Sequence, residues 1–152
     1  MNVFDRYPSG GRTLLGKPRN LTGACRTGYG LGLQLLTGET SCAYCGVSLV
    51  DTYHHWLLMS IDHLVPSGEA RRVGIAPQFS EDAINLVLCC AGCNGFGNRY
   101  RTTIEPRPIW SLEQFLSLRD QVFEDRFARI AGRRAVEMAF FESKPWARAA
   151  IR

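Results

Sequence analysis

The chain has almost no lysine. Lys17 and Lys144 are the two exceptions on a basic side otherwise made of arginine, in 152 residues. Arginine presents a planar fork that suits phosphate and carboxylate, where lysine is a point charge. Long apolar runs are missing too. No stretch reaches the roughly 18 uninterrupted apolar residues of a membrane span, so no membrane association is expected. The opening residues, MNVFDRYPSGGR, lack an apolar segment behind a basic start. No secretory signal is therefore expected, and a cytoplasmic protein is. There is no internal repeat and no low-complexity run. Hydrophobic residues make up 45% and charged residues 21% of the chain, the balance of a globular protein. The length suits one domain with a core of its own.

What is present divides into three zones. Residues 1–41 carry a net +3, residues 42–101 a net −1 and residues 102–152 a net +2, within a total of +4. A near-neutral middle between basic flanks suits a metal-binding centre with phosphate-gripping arms, although a solvated surface carries such a bias too. Residues 1–41 are rich in Gly and Thr and read as an N-terminal arm, either DNA-gripping or a partly ordered tail. Within them, LGLQLL reads as one helical turn or a brief strand. Residues 42–101 alternate apolar runs with turn signals. Ile61–Val65 and Asn85–Cys89 read as strands, broken by Pro66-Ser67-Gly68, and CAGCNGFGNRYR reads as a short helix. If TYHHW is a strand, His54 and His55 point to opposite faces.

Residues 102–152 read as a helical cap. Ser111 and Gln114 have capping-box spacing. Leu112, Phe115, Leu116, Val122, Phe123, Phe127 and Ile130 follow helical spacing and form a core-facing stripe. Gly132 is expected to end that helix, with a second from Arg134 to Ser143 stopping near Pro145.

Six cysteines in a reducing compartment point to metal rather than to disulfides. Cys42-Ala43-Tyr44-Cys45 and Cys90-Ala91-Gly92-Cys93 are two C-x-x-C knuckles. Thiolates at i and i+3 in a tight turn supply two tetrahedral ligands with little strain, and two knuckles close the shell. The expectation is a structural zinc. A redox C-x-x-C, or buried cysteines acting as small apolar groups, are the alternatives; neither accounts for two pairs. Cys89 beside Cys90 leaves a choice, and the spacing to Cys93 favours Cys90. Cys25 and Cys89 are left as structural residues.

Between and beside the knuckles stand Asp62-His63, Asn85 and Asn94, giving C-x-x-C, D-H, N-x4-C-x-x-C-N. Over residues 42–100 the chain resembles the HNH endonuclease family, also called His-Me finger or ββα-metal nucleases. The resemblance implies an α+β fold: a small β-hairpin and helix clamped on one divalent ion, braced by the four-cysteine zinc site, with the C-terminal helices packed on it. It implies His63 as the general base and Asp62 and Asn94 as ligands of a catalytic Mg²⁺ or Mn²⁺. Asn85 would tie the loop that holds the histidine, and Asn98 would be a weaker ligand. Many relatives carry a lysine where Gly97 stands here; Arg99 or Arg101 would substitute. Arg71 and Arg72, in the connection, could contact phosphate or line a solvated loop.

Such a site hydrolyses phosphodiesters. A neutral imidazole can take a proton from water near pH 7, and a hard cation can meet the developing charge. DNA is the expected substrate, with RNA less favoured. The rival readings are a zinc-stabilised nucleic-acid-binding module without catalysis, and a nuclease toxin with an immunity or accessory partner. Little surface is available for reading many bases, so specificity would call for a homodimer or loose recognition.

Overall fold

In a computed structural model of the protein, residues 25–97 and 99–149 are described. Most of the N-terminal arm, and the weaker candidate Asn98, lie outside the described residues.

The sheet has two antiparallel strands. β1 (Met59–His63) pairs with β2 (Leu86–Cys90), from Met59 opposite Cys90 to His63 opposite Leu86. In β2, Leu86, Val87, Leu88 and Cys89 are all buried. A continuous apolar run is what a strand covered on both faces requires. Leu64 and Val65 fall just beyond β1, and Asn85 just before β2. α5 (Ala91–Gly97) follows β2 without a loop, so the expected order of strand, connection, strand and helix is the observed one. The fold is mixed helix and strand.

Other elements depart from expectation. LGLQLL lies in α1 (Tyr29–Thr37), which ends on Gly38 in the left-handed region at φ 72°. That C-cap glycine settles the choice between turn and strand. Gly30 lets α1 approach the turn before it: a Cβ there would stand 2.6 Å from the Cys25 carbonyl oxygen and 2.8 Å from its sulfur. TYHHW is helical, as α2 (Tyr53–Leu57), because the Thr52 side chain caps it by accepting from the His55 amide. The opposite-face argument for His54 and His55 therefore does not apply, and His55 Nδ1 lies 2.6 Å from Asp51.

The connection between the strands is structured. It holds α3 (Ser67–Val73), α4 (Pro77–Ser80) and a 3-10 turn at Ala83–Asn85. The Gly74 cap of α3 has φ 82°, and the Arg107 backbone crosses above it, donating to the Val73 carbonyl at 3.0 Å.

α6 (Leu112–Glu142) begins with the capping box: Ser111 accepts from the Gln114 amide at 3.1 Å, and Gln114 accepts from the Ser111 amide at 3.1 Å. It does not stop at Gly132. An exposed glycine in a helix of good formers costs only about 1 kcal/mol, less than breaking a cooperative helix. The turn falls instead at Lys144, φ 47°, before α7 (Pro145–Ala149). The buried stripe is also different. It runs through Phe115, Leu118, Arg119, Val122, Arg126 and Ile130, while Leu112 and Phe127 are exposed. Two arginines thus sit where only apolar residues were expected. Past Ile130 no residue of α6 is fully buried.

Two apolar clusters result. One joins α1, the first knuckle, the sheet and Ile130. The other joins the connection to Trp110 and the first half of α6. The junction between them lies at the end of β1, where Leu64 belongs to one cluster and Val65 to the other.

Candidate functional site

Four of the predicted residues converge. The sulfurs of Cys42, Cys45, Cys90 and Cys93 all lie within 4.8 Å of one another. The first knuckle is a tight turn closed by the Gly46 amide donating to the Cys42 carbonyl at 2.9 Å, with Gly46 at φ 73°. The second wraps the start of α5, where the Cys93 amide points at the Cys90 sulfur at 3.4 Å. The Ala43 amide donates to the Leu88 carbonyl at 2.9 Å and so sets one knuckle against the other. A tetrahedral ion with metal–sulfur bonds of about 2.3 Å needs sulfurs about 3.8 Å apart. Cys45 and Cys90 stand 3.9 Å apart. The donor set and its span fit a metal ion, and among the described residues this is the only such group of Cys, His, Asp or Glu.

A hydrogen bond from Cys42 holds the Cys90 thiol below the ordinary thiol range. Burial pushes the Cys93 thiol up, against the pull of Arg134, whose Nη1 donates to the Cys93 sulfur at 3.5 Å. Cys89 stays out of the cluster. It is fully buried, and that burial pushes its thiol up, as befits a packing residue.

Asp62, His63 and Asn94 do not converge in this way; each is bonded to a different neighbour. By strand alternation Asp62 and Ser60 share one face of β1, and His63 takes the other. Asp62 is buried. Its Oδ2 accepts from the Tyr44 hydroxyl and pairs with Arg126 Nη2 at 2.8 Å. Burial and the neighbouring Asp62 push the Tyr44 hydroxyl up, so it stays a donor. Asn94 donates through Nδ2 to Ser60 Oγ at 2.8 Å. A divalent ion needs accessible oxygens. Here the carboxylate is already neutralised and shielded, so Asp62 and Asn94 as arranged do not fit an open magnesium or manganese site.

His63 is the accessible member, its side chain 37% exposed. Its Nε2 lies 3.3 Å from Glu81 Oε2, and Ser67 Oγ donates to the other Glu81 oxygen at 3.1 Å. The backbone beyond it is fixed by Asn85, which is fully buried. Asn85 Oδ1 accepts from the Val65 amide at 3.0 Å. Its Nδ2 donates to the Val65 carbonyl at 3.0 Å and the Ser80 carbonyl at 2.8 Å.

The four arginines divide. Arg71, Arg99 and Arg101 are exposed. Arg72 is occupied: it clasps Glu69 through Nη2 at 2.6 Å and Nε at 3.0 Å, and donates to the carbonyls of Thr102 and Ile104 at 3.1 Å each. It ties the connection to the segment leaving α5, with part of its side chain still in water.

Sequence reasoning missed Tyr44, Glu81 and Arg126. Arg126 did leave a signal: with Val122 and Ile130 it repeats at a spacing of four, which puts a charge on the buried stripe. Set against protein-family models, characterised proteins and solved structures, the chain matches none.

Proposed function

We propose that the protein is an HNH-type endonuclease that hydrolyses DNA phosphodiester bonds, with His63 as general base and a structural zinc in the four-cysteine cluster. One observation carries the reading. A half-exposed histidine ends the first strand of a hairpin whose second strand runs straight into a helix braced by the cysteines, and a buried asparagine ties the backbone beside it.

The chemistry follows from the ring. A neutral imidazole that donates from Nε2 to Glu81 keeps Nδ1 as its basic atom. That atom would accept the proton of a water attacking phosphorus, as the 3′ oxygen leaves. Glu81 is then a positioning residue. Arg71, Arg99 and Arg101 are the exposed cations for phosphate contact. Magnesium or manganese is the ion the resemblance implies for charge on the transition state. Arg126 already closes Asp62, so such an ion would need oxygens other than this carboxylate.

That same closure favours a second reading, a zinc-stabilised nucleic-acid-binding module without catalysis. A plasmid assay separates the two. Supercoiled DNA is incubated with wild type and His63→Ala, with Mg²⁺, with Mn²⁺ and with EDTA, and zinc is counted in both proteins. We expect nicking or linearisation by wild type and a loss of about a hundredfold or more in His63→Ala, with equal zinc. Plasmid that is retained on a gel but uncut under every metal supports the binding module; cleavage of an RNA substrate alone would redirect the substrate class.

A further inference from the structure

Arg126 has the surroundings of a resident ion. It is a guanidinium 1% exposed to solvent, held from α6 at the end of β1. Nη2 lies 2.8 Å from the Asp62 carboxylate. Nη1 donates to the carbonyls of His63 and Leu64, at 2.8 Å each. The guanidinium carbon stands 5.9 Å from the centre of the Tyr44 ring, and Tyr44 donates to the same carboxylate. One side chain thus engages a carboxylate oxygen and two backbone oxygens, all oxygens of the kind a hard cation would take.

We infer that Arg126 is the permanent cation of Asp62, that Asp62 is therefore not a metal ligand, and that through the two carbonyls Arg126 positions His63. A buried carboxylate paired at this range has its charge met. A divalent ion brought to it would place two further positive charges beside a guanidinium with no path to water. The alternative, that Arg126 swings out to admit metal, would break its bonds to two backbone carbonyls as well as the ion pair. α6 then belongs to the catalytic unit: the histidine's own carbonyl is fixed by a helix that lies wholly after the hairpin in sequence. The positioning role rests on the nuclease reading of His63; the ion pair does not.

The test uses four zinc-loaded proteins: wild type, Asp62→Asn, Arg126→Met and the double variant. Free Mn²⁺ is followed by electron paramagnetic resonance, stability by thermal melting, and plasmid cleavage as a function of Mn²⁺ concentration. We expect each single variant to melt lower and the double to recover much of the loss, because it leaves no buried charge without its partner. Mn²⁺ binding, and the Mn²⁺ concentration for half-maximal cleavage, should stay within about twofold in Asp62→Asn, while the maximal rate falls. Removing even an outer partner of a metal ligand weakens binding by about tenfold or more. Such a loss in Asp62→Asn, or a tenfold gain in Arg126→Met, would overturn the inference, since Arg126 would then be competing with metal for a ligand. A wild type that binds no Mn²⁺ supports it when the melts are coupled; uncoupled melts overturn it. Should Arg126→Met not fold, Asp62→Asn and the double variant still decide. Should wild type not cut DNA, the nuclease reading falls, and the melts and Mn²⁺ binding still judge the ion pair.

Discussion

The cysteine cluster and the end of β1 lie at opposite ends of the same two-stranded sheet, yet they handle polar groups in opposite ways. The four sulfurs face one another, with Arg134 the cation that the structure places against them. A divalent ion among four thiolates leaves two net negative charges, of which one arginine answers part. At the strand end each polar group has a protein partner of its own: Asp62 with Arg126 and Tyr44, His63 with Glu81, Asn94 with Ser60. Four like donors converging on one point are the mark of a ligand set; pairing of each group with a different neighbour is the mark of a framework, with His63 left reachable at its rim. Spacing in the sequence made the two look alike, because it records which residue types stand near each other and not what already neutralises them.

Removing a cysteine breaks the comparison most severely. Cys90 ends β2, opens α5 and is the sulfur that both Cys42 and Cys45 approach. Metal binding on the order of 10 kcal/mol is folding free energy in small zinc sites. Cys90→Ala should therefore contain no zinc by atomic absorption and lose its cooperative melt by circular dichroism. A variant that melts like wild type would demote the cluster to packing.

Tyr44 is where the two regions touch, since it lies inside the first knuckle and donates to Asp62. Tyr44→Phe keeps the ring stacked on Phe123, at 5.6 Å between centroids, and removes the hydroxyl alone. A hydrogen bond to a charged acceptor contributes about 1.5–3 kcal/mol, so the urea midpoint should fall accordingly while zinc content stays at one ion per chain. Zinc lost together with the hydroxyl would mean that the two regions are one site.

The parts legible in the sequence were those set by short range. Two C-x-x-C knuckles, the Ser111–Gln114 capping box and the apolar run of β2 are each decided within a few residues, and the structure carries all three. The metal cluster needed the further inference that two knuckles meet, which their matching geometry supplied. What failed depended on distant partners or on small energies. Arg126 was passed over because its partners lie on a strand before the connection. Arg72 looked like a free basic residue because Glu69 and Thr102 reach it only in the fold. Gly132 was read as a stop although an exposed helical glycine is a mild penalty. The expectation for Asp62 is not among these failures; its ion pair with Arg126 comes from α6, outside the run of sequence that suggested its role.

Acid reads both regions in one experiment, and its second step is the smallest of these effects. Bound thiolates are released from metal as protons compete for sulfur. Their ordinary range lies near neutral to basic pH, so zinc should leave early in an acid titration. The connection behind the strand end responds later. Glu69 is buried, and the Arg72 guanidinium beside it, helped by Thr102, holds its carboxyl down at about 2 against the opposing effect of burial. Its folded value lies below its unfolded value of 4.5. The stabilisation is therefore complete above about pH 4.5 and is lost as pH falls through about 2. Arg72 is partly in water, which screens the pair and keeps its contribution small. A chelating dye and circular dichroism followed from pH 7 downward should register zinc release first and the loss of the clamp second. Glu69→Gln should lower stability near neutral pH, flatten the second step and leave the pH of zinc release unchanged. If the two steps coincide in wild type, or if Glu69→Gln moves the zinc step, then the cluster and the strand end do not hold together independently, and the contrast between them fails.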